Sequence, residues 1–454
     1  VSFAEQIRPY FRQLADAGFA ELKSGEDLNL QLIGEDQTYL RFNDARVRQA
    51  TGVRQANLSV NFQACSRKLS FAFDLTGHLD QDSAILDSLL RRARKESQVL
   101  PEDPYVVSMQ DHGTSEEVHL GRLPDPESVA EFVARYSGGT GFTGLFASGP
   151  QFRAVCNSSG MDHWFSSESF FLDYSLFTRN DSGEDKAVKN SVSAVEWNQE
   201  QVLSGIDADK ERLQSLERPT HALAPGDYRV YFSPAAVSDL LDMFSWGALS
   251  YKAWKEGGCA LRGLVEGKDT LSPHFTLREN FRLALLPRFN SLGELPPMKL
   301  TVIEAGKLRE LLVSSRTAKE YGAACNFAEP GGWFGEHLRS AELETGDLPE
   351  AEALNRLGTG LFIGNLHYLN WSDVQTARIT GMTRYACFWV VDGEIVAPIR
   401  DLRFDDSLYR LFGTNLESLT AESHVRRSVD TYHRRALGGN RAPGALVSAC
   451  RFTL

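Results

Sequence analysis

Hydrolysis at a metal centre needs two or three neutral His or thiolate ligands and a carboxylate that activates water. The sequence offers ten His: His78, His112, His119, His163, His221, His274, His337, His367, His424 and His433. None lies in H-E-x-x-H or H-E-x-x-x-H. His112 and His119 flank the acidic Thr114-Ser115-Glu116-Glu117, but nothing sets them on one face. Glu336-His337 precedes Glu342 and Glu344 without metal-ligand spacing. These residues read as surface or satisfied core histidines. A rearranged site from His424, His433 and Cys450 is conceivable, although Cys450 reads better as a small buried residue of a terminal strand. No G-x-S-x-G elbow supports a serine hydrolase. Gly139-Thr140-Gly141-Phe142-Thr143-Gly144 matches G-x-G-x-x-G, but a helical pattern precedes it and a strand follows. A dinucleotide site requires the reverse order, with the phosphates at a helix N-terminus, so the glycines read as a flexible turn.

The segment that organises the chain is Pro225 to Tyr251. Tyr228, Val230 and Phe232 alternate with Arg229 and Tyr231, which is strand periodicity. Ser233 supplies an N-cap oxygen and Pro234 the first helical residue, where its missing N–H costs nothing. Val237, Leu240, Leu241, Phe244 and Ala248 then predict a helix with one core face.

Around it, the chain reads as α+β. Phe3 to Ala17 and Asp82 to Ser97 predict helices around strands at Leu28 to Leu32, Thr38 to Phe42, Asn57 to Phe62 and Lys68 to Phe73, with a turn at Glu35-Asp36. After a Pro-bearing connector at Leu100 to Pro104 comes a helix at Glu127 to Tyr136. Strands at Gly144 to Ser148, Gln151 to Asn157 and Phe165 to Leu176 follow, then a helix at Val202 to Leu216. From Leu223 onward β patterning dominates. It includes a short strand at Leu361 to Ile363 and a hairpin across Asp392-Gly393, with short helical pieces at Asp406 to Phe412 and Leu416 to Leu419. The expected division is an N-terminal α+β unit (1–98), a second α+β unit (99–219) and a larger β-rich domain (220–454).

Composition narrows the function classes. A net charge of −12 argues against non-specific nucleic-acid binding. The basic runs at Arg91 to Lys95 and His424 to Arg435 read as solvated helix faces. No apolar run approaches the ~20 residues of a membrane span. The N-terminal VSFAEQIRPYFRQL carries charges throughout, unlike a signal peptide, and begins without Met, which suggests processing or an incomplete start. Six scattered cysteines without a C-x-x-C pair fit a reducing cytoplasm.

Several stretches, in the same order, resemble the TldD/PmbA family of peptide-processing proteins. They are YLRFNDARVRQATGV, the Asn157-Ser158-Ser159-Gly160 turn, VIEAGKLRELLVSSRTAKEYG, GTGLFIGNLHYLNW and CFWVVDGEIVAPIRDL. In catalytic members the strand, the Ser/Asp-Pro cap and the Leu-Leu pair lead into a zinc-binding H-E-x-x-x-H. Laid without gaps from Leu240-Leu241 to Ala248-Leu249, the first His falls on Asp242, the Glu on Met243 and the second His on Gly247. Met and Gly supply neither a general base nor a zinc ligand. The family's third ligand, a Cys, falls near His433 to Arg435 when Ala442-Pro443-Gly444 is aligned on the family's Val-Pro-Val-Gly, and Cys450 lies well beyond it.

The resemblance therefore implies the non-catalytic TldE/PmbA-like branch. It predicts no metal in this chain, zinc in a TldD-like partner subunit, and a closed hollow dimer that cleaves unfolded peptides. The partner is expected to be that subunit or a second copy. His367, Tyr368, Arg378 and Arg384 fall where the family's C-terminal domain approaches the active-site region, and are the candidate peptide or partner contacts. The alternatives are a homodimeric metallopeptidase with a relocated metal site and a stand-alone peptide-binding protein.

Overall fold

Helix α1 (Phe3–Ala20) buries Ile7, Phe11, Leu14 and Ala15 at helical spacing, and strand β1 (Glu26–Asn43) begins six residues later. The computed structural model describes residues 3–180, 183–331 and 334–453. Val1 and Ser2 of the charged N-terminal segment lie outside these.

The N-terminal half continues with β2 (Arg46–Ala64), β3 (Arg67–Asp74), α2 (Leu79–Ser97), β4 (Thr114–His119) and α3 (Pro126–Ser137). It closes with β5 (Thr143–Asn157), β6 (Asp162–Arg179), β7 (Asp185–Ala194) and α4 (Gln199–Leu216). All seven strands form one sheet in the order β3-β2-β1-β5-β6-β4, with β7 also on β6. The sheet is antiparallel except for the β4–β6 pair. Even-numbered β1 positions such as Leu28, Leu30, Leu32, Leu40 and Phe42 join the cores that lie under the four helices. Odd-numbered Gln31, Glu35 and Gln37 face the rest of the chain.

That second face explains one difference from the sequence reading. No turn occurs at Glu35-Asp36; β1 runs straight through it. Glu35 accepts the Arg435 N–H at 2.8 Å and Gln37 donates to the Pro150 carbonyl at 2.9 Å, so these polar residues are satisfied inside a strand. The irregularity lies in the pairing with β5, which breaks between Glu35–Gln151 and Thr38–Ser148, at Gly149. Its φ of 144° and a Cβ position only 2.1 Å from the Asp36 carbonyl oxygen leave room for glycine alone.

The C-terminal half starts with β8 (Gly226–Phe232), α5 (Pro234–Asp242), α6 (Tyr251–Lys255), α7 (Arg262–Val265) and β9 (Leu277–Asn280). Next come β10 (Lys299–Glu304), β11 (Lys307–Leu308), α8 (Ser315–Tyr321), β12 (Ser340–Leu343) and α9 (Ala353–Leu357). The last strands are β13 (Gly360–Asp373), β14 (Arg378–Val391), β15 (Glu394–Pro398), β16 (Arg403–Ser407), β17 (Leu416–Arg427) and β18 (Gly439–Phe452). They build an eleven-stranded sheet in which β8 pairs with both β13 and β18, closing β18-β16-β14-β13-β8 on itself. The fold is thus α+β, with an antiparallel N-terminal sheet and a larger β-rich C-terminal part.

Two expectations in this half are corrected. Leu416 to Leu419 is the start of strand β17 rather than a helical piece, its Leu416 and Leu419 paired with Val447 and Ala445. The basic run from His424 to Arg435 is no solvated helix face: it is strand and then loop, and Arg435 is buried, donating to Gln37 and to the Ser169 carbonyl. Charge runs are usually solvated, but here the run crosses between the two sheets and finds its partners there.

Candidate functional site

Helix α5 follows its sequence prediction at the N-terminus. Ser233 is the N-cap, its Oγ accepting the Ala236 N–H at 3.2 Å, and Pro234 is the first helical residue. The Ser233 hydroxyl also donates to the Gly364 carbonyl at 2.6 Å, which fixes the helix against β13. Val237, Leu240 and Leu241 are fully buried, each contributing roughly 1.5–3 kcal/mol.

The C-terminus departs from the prediction. The α-helix stops at Asp242, a single 3-10 turn covers Met243–Ser245, and Gly247 lies beyond it at φ 80°. The three positions aligned with H-E-x-x-x-H therefore do not share a helical face. Met243 is buried in the apolar core beside Phe244. A Cβ at Gly247 would lie 3.2 Å from the Phe334 carbonyl oxygen. Only Asp242 keeps a metal-capable side chain, so these residues do not fit a zinc ion. Among the described residues no group of three or more His, Cys, Asp and Glu side chains is arranged to hold a metal.

Asp242 points into a cavity of about 740 Å³ between the two halves. One wall is the N-terminal sheet at Gln31, Ile33, Arg153 and Val155. The other is α5 with Phe289, His337, Arg339, the Arg426–Asp430 segment and Asn440. This volume lies in the range of ligand sites. Asn440 on β18 organises the helix end: its Oδ1 accepts from Ser238 Oγ at 2.7 Å, and its Nδ2 donates to Asp242 at 3.3 Å. Arg426 pairs with Asp239 one turn earlier at 2.7 Å.

Asp242 is exposed within the cavity, and the protein around the cavity still limits its hydration. Burial pushes its carboxyl up to about 6, the Asp239 charge adds to the rise, and Arg426 and Asn440 oppose it. Asp239 is also raised by burial, although Arg426 works against this. Burial lowers the His337 imidazole. Arg339 is held by the Phe289 and Arg288 carbonyls and by Glu329 at 3.5 Å.

Of the four residues proposed as substrate contacts, His367, Tyr368 and Arg384 lie together, the His367 and Tyr368 ring centroids 4.0 Å apart, and Arg378 lies elsewhere. His367 sits near Asp239 and Arg384, its pKa lowered by burial and by the Arg384 charge against the pull of Asp239 and Asp401. Arg384 shares the β13–β14 ladder, opposite Asn365. Tyr368, 74% exposed at φ 52°, points to solvent, and Arg378 pairs with Asp405 at the far end of the β14–β16 ladder. None of the four lines the cavity.

His424, His433 and Cys450 also stay apart. His424 bonds Glu350 at 2.7 Å, His433 is an exposed loop residue, and Cys450 is fully buried opposite Tyr228 in β18. Of the wall arginines, Arg153 and Arg339 were missed from the sequence, while Arg426 and Arg427 belong to the basic run from His424 to Arg435 that was read as a solvated helix face.

Two sheets enclosing a cavity beside a strand-to-helix unit define an α+β protein with a β-rich C-terminal domain joined to an N-terminal α+β half. Residues 225–453 match the PmbA/TldA metallopeptidase C-terminal domain, and the chain belongs to the TldD/PmbA family, a peptidase family. No curated protein matches it in sequence. Similar crystal structures include TldE from Thermococcus kodakarensis, at 14% identity and a TM-score of 0.78 over 98% of this chain and 100% of that one. A protein described as a modulator of a DNA gyrase from Thermotoga maritima superposes at 16% identity and a TM-score of 0.78, over the same shares. One so described from Bacteroides thetaiotaomicron does so at 14% and 0.79, over 100% of both chains. At these identities the likeness is one of fold. Among the described residues no helix is long and apolar enough to cross a membrane.

Proposed function

We propose that this chain is a non-catalytic, TldE-like subunit that holds unfolded peptide beside a zinc-bearing TldD-like partner in the cytoplasm. The observation that carries the reading is the state of α5: its family metal positions hold Asp242, a core-buried Met243 and a Gly247 beyond the helix end. The apolar face of the helix still packs, so the scaffold persists while the ligands are gone. The cavity beside it remains, with polar wall groups on both sides that suit a peptide main chain. The likeness of fold to TldE supports the same branch.

The relocated-metal reading finds little support, because His424, His433 and Cys450 occupy three separate environments. The deciding experiment measures zinc per chain on protein purified without chelator, together with peptidase activity alone and with an H-E-x-x-x-H subunit from the same source. The expected result is negligible zinc, no activity alone, and a co-eluting active complex when the two are mixed. Stoichiometric zinc with peptidase activity in the isolated chain would overturn the proposal.

A further inference from the structure

Two guanidinium groups in the cavity wall make no ion pair, although the Glu329 and Glu35 charges act on one of them, Arg153, from a distance. Arg153 on β5 and Arg427 at the end of β17 both line the cavity, one from each half of the molecule. Neither side chain makes a hydrogen bond or an ion pair among the described residues. Only the main-chain N–H of Arg427 is engaged, donating to Ser193 Oγ at 3.2 Å. The other two wall arginines are occupied, Arg426 by Asp239 and Arg339 by Glu329 and two carbonyls. Of the remaining acidic groups, Asp242 takes its bond from Asn440, and Asp430 turns to the Tyr432 N–H.

Shielded cations are normally paired, and a chain with 60 acidic residues has no shortage of partners. Burial lowers the pKa of both arginines, Arg153 to about 10, and both remain charged near neutrality. A guanidinium fork matches a carboxylate in shape and charge. Nucleic acid is a poor fit, because the same wall carries Asp239, Asp242 and Glu329 and the protein is strongly acidic.

We propose that Arg153 and Arg427 form an anion subsite that takes a peptide carboxylate, either the C-terminal group or an Asp or Glu side chain. This rests on the peptide-holding reading above. A carboxylate bound there would engage both halves of the molecule and fix how the peptide lies in the cavity.

The test titrates the full chain into four labelled hexapeptides of Ala, Val and Ser. Each carries a central Glu or Gln and a free or amidated C-terminus, and binding is read by fluorescence anisotropy. A carboxylate peptide is expected to bind about tenfold more tightly than the doubly neutral one, an advantage that shrinks with salt. Comparing the Glu amide with the Gln acid tells the two carboxylate sources apart. Arg153→Gln and Arg427→Gln should each remove the preference while leaving the neutral peptide's affinity unchanged. Because neither guanidinium is paired, both variants should melt at or above the parent temperature, which guards against misfolding. Equal binding of all four peptides would overturn the subsite and leave the peptide reading intact. A preference that survives the double variant would also overturn it. Binding of none would remove the peptide reading, and the subsite with it.

Discussion

Arg426, at the end of β17, reaches the Asp239 carboxylate of α5 at 2.7 Å. The pair ties the degenerate helix to the loop that bounds the cavity, and the Arg426 charge also holds down the Asp242 carboxyl. Replacing Arg426 by Met leaves the neighbouring Asp239 and Asp242 carboxylates without that cation. The expected loss is about 1–3 kcal/mol, measured by denaturant unfolding. Adding Asp239→Asn should return part of it, because the second change removes the charge the first one stranded.

Asp242 itself sets a pH dependence. Its folded-state carboxyl titrates at about 6 against 3.8 for the unperturbed group, chiefly through burial and then through Asp239. The folded chain therefore holds this proton more tightly than the unfolded chain. Stability from this group is complete below the unfolded value and is lost as pH rises through 6. The other charged groups around it are Asp239 and Arg426, with Arg153, Glu329, His337, Arg339, Arg427 and Asp430 elsewhere on the cavity wall. Asp242→Asn keeps an acceptor for Asn440. It should stabilise the protein by about 1 kcal/mol or less near pH 8, discounted for cavity water, and by nothing near pH 4. Unfolding midpoints at the two pH values check this; a larger gain at the acidic one contradicts the assignment.

Local patterning carried much of the fold and little of the cavity. The Ser233-Pro234 cap and the Val237, Leu240 and Leu241 face were legible because helix starts are written in neighbouring residues. The end of α5 was not. The apolar spacing continues through Phe244 and Ala248, but those side chains reach the core from a 3-10 turn and a loop, so burial alone mimicked helix. The straight run of β1 through Glu35 and Asp36 depended on Arg435, four hundred residues away. The shared role of the wall arginines was hidden for the same reason: the basic run holding Arg427 was legible, but Arg153 is far from it in sequence, and only the docking of the two sheets brings both to one cavity.

Rebuilding the family motif here should fail. Met243→Glu would place a carboxylate in the apolar core with no partner, at an expected cost of more than about 3 kcal/mol. Gly247→His adds a side chain at φ 80°, with its Cβ 3.2 Å from the Phe334 carbonyl oxygen, and should cost about 1–2 kcal/mol. The triple variant with Asp242→His is expected to melt well below the parent and to take up no stoichiometric zinc. Thermal scans with and without added zinc measure both.

Glu336 is the buried hub that fixes the loops behind α5. Its carboxylate accepts hydroxyl bonds from Ser250, Ser314 and Thr317, tying the start of α6 and the start of α8 to the segment leading into β12. Burial pushes the carboxyl up, but the donors from Ser250, Thr317 and Ser314 outweigh it and hold it below the usual range. A lowered folded-state value means that its stabilisation is present above the unfolded value of 4.5 and is lost as pH falls through the folded one. Glu336→Ala would leave three enclosed hydroxyls without their acceptor and should cost at least about 3 kcal/mol near neutral pH. Glu336→Gln keeps one acceptor oxygen and should cost less. Below the folded-state titration the parent's advantage over the Gln variant should narrow, because its own carboxyl is then protonated. Denaturant unfolding of both variants at neutral and acidic pH tests the argument. A Gln variant as unstable as Ala at every pH would mean that Glu336 acts through its shape and not through the acceptor set it provides.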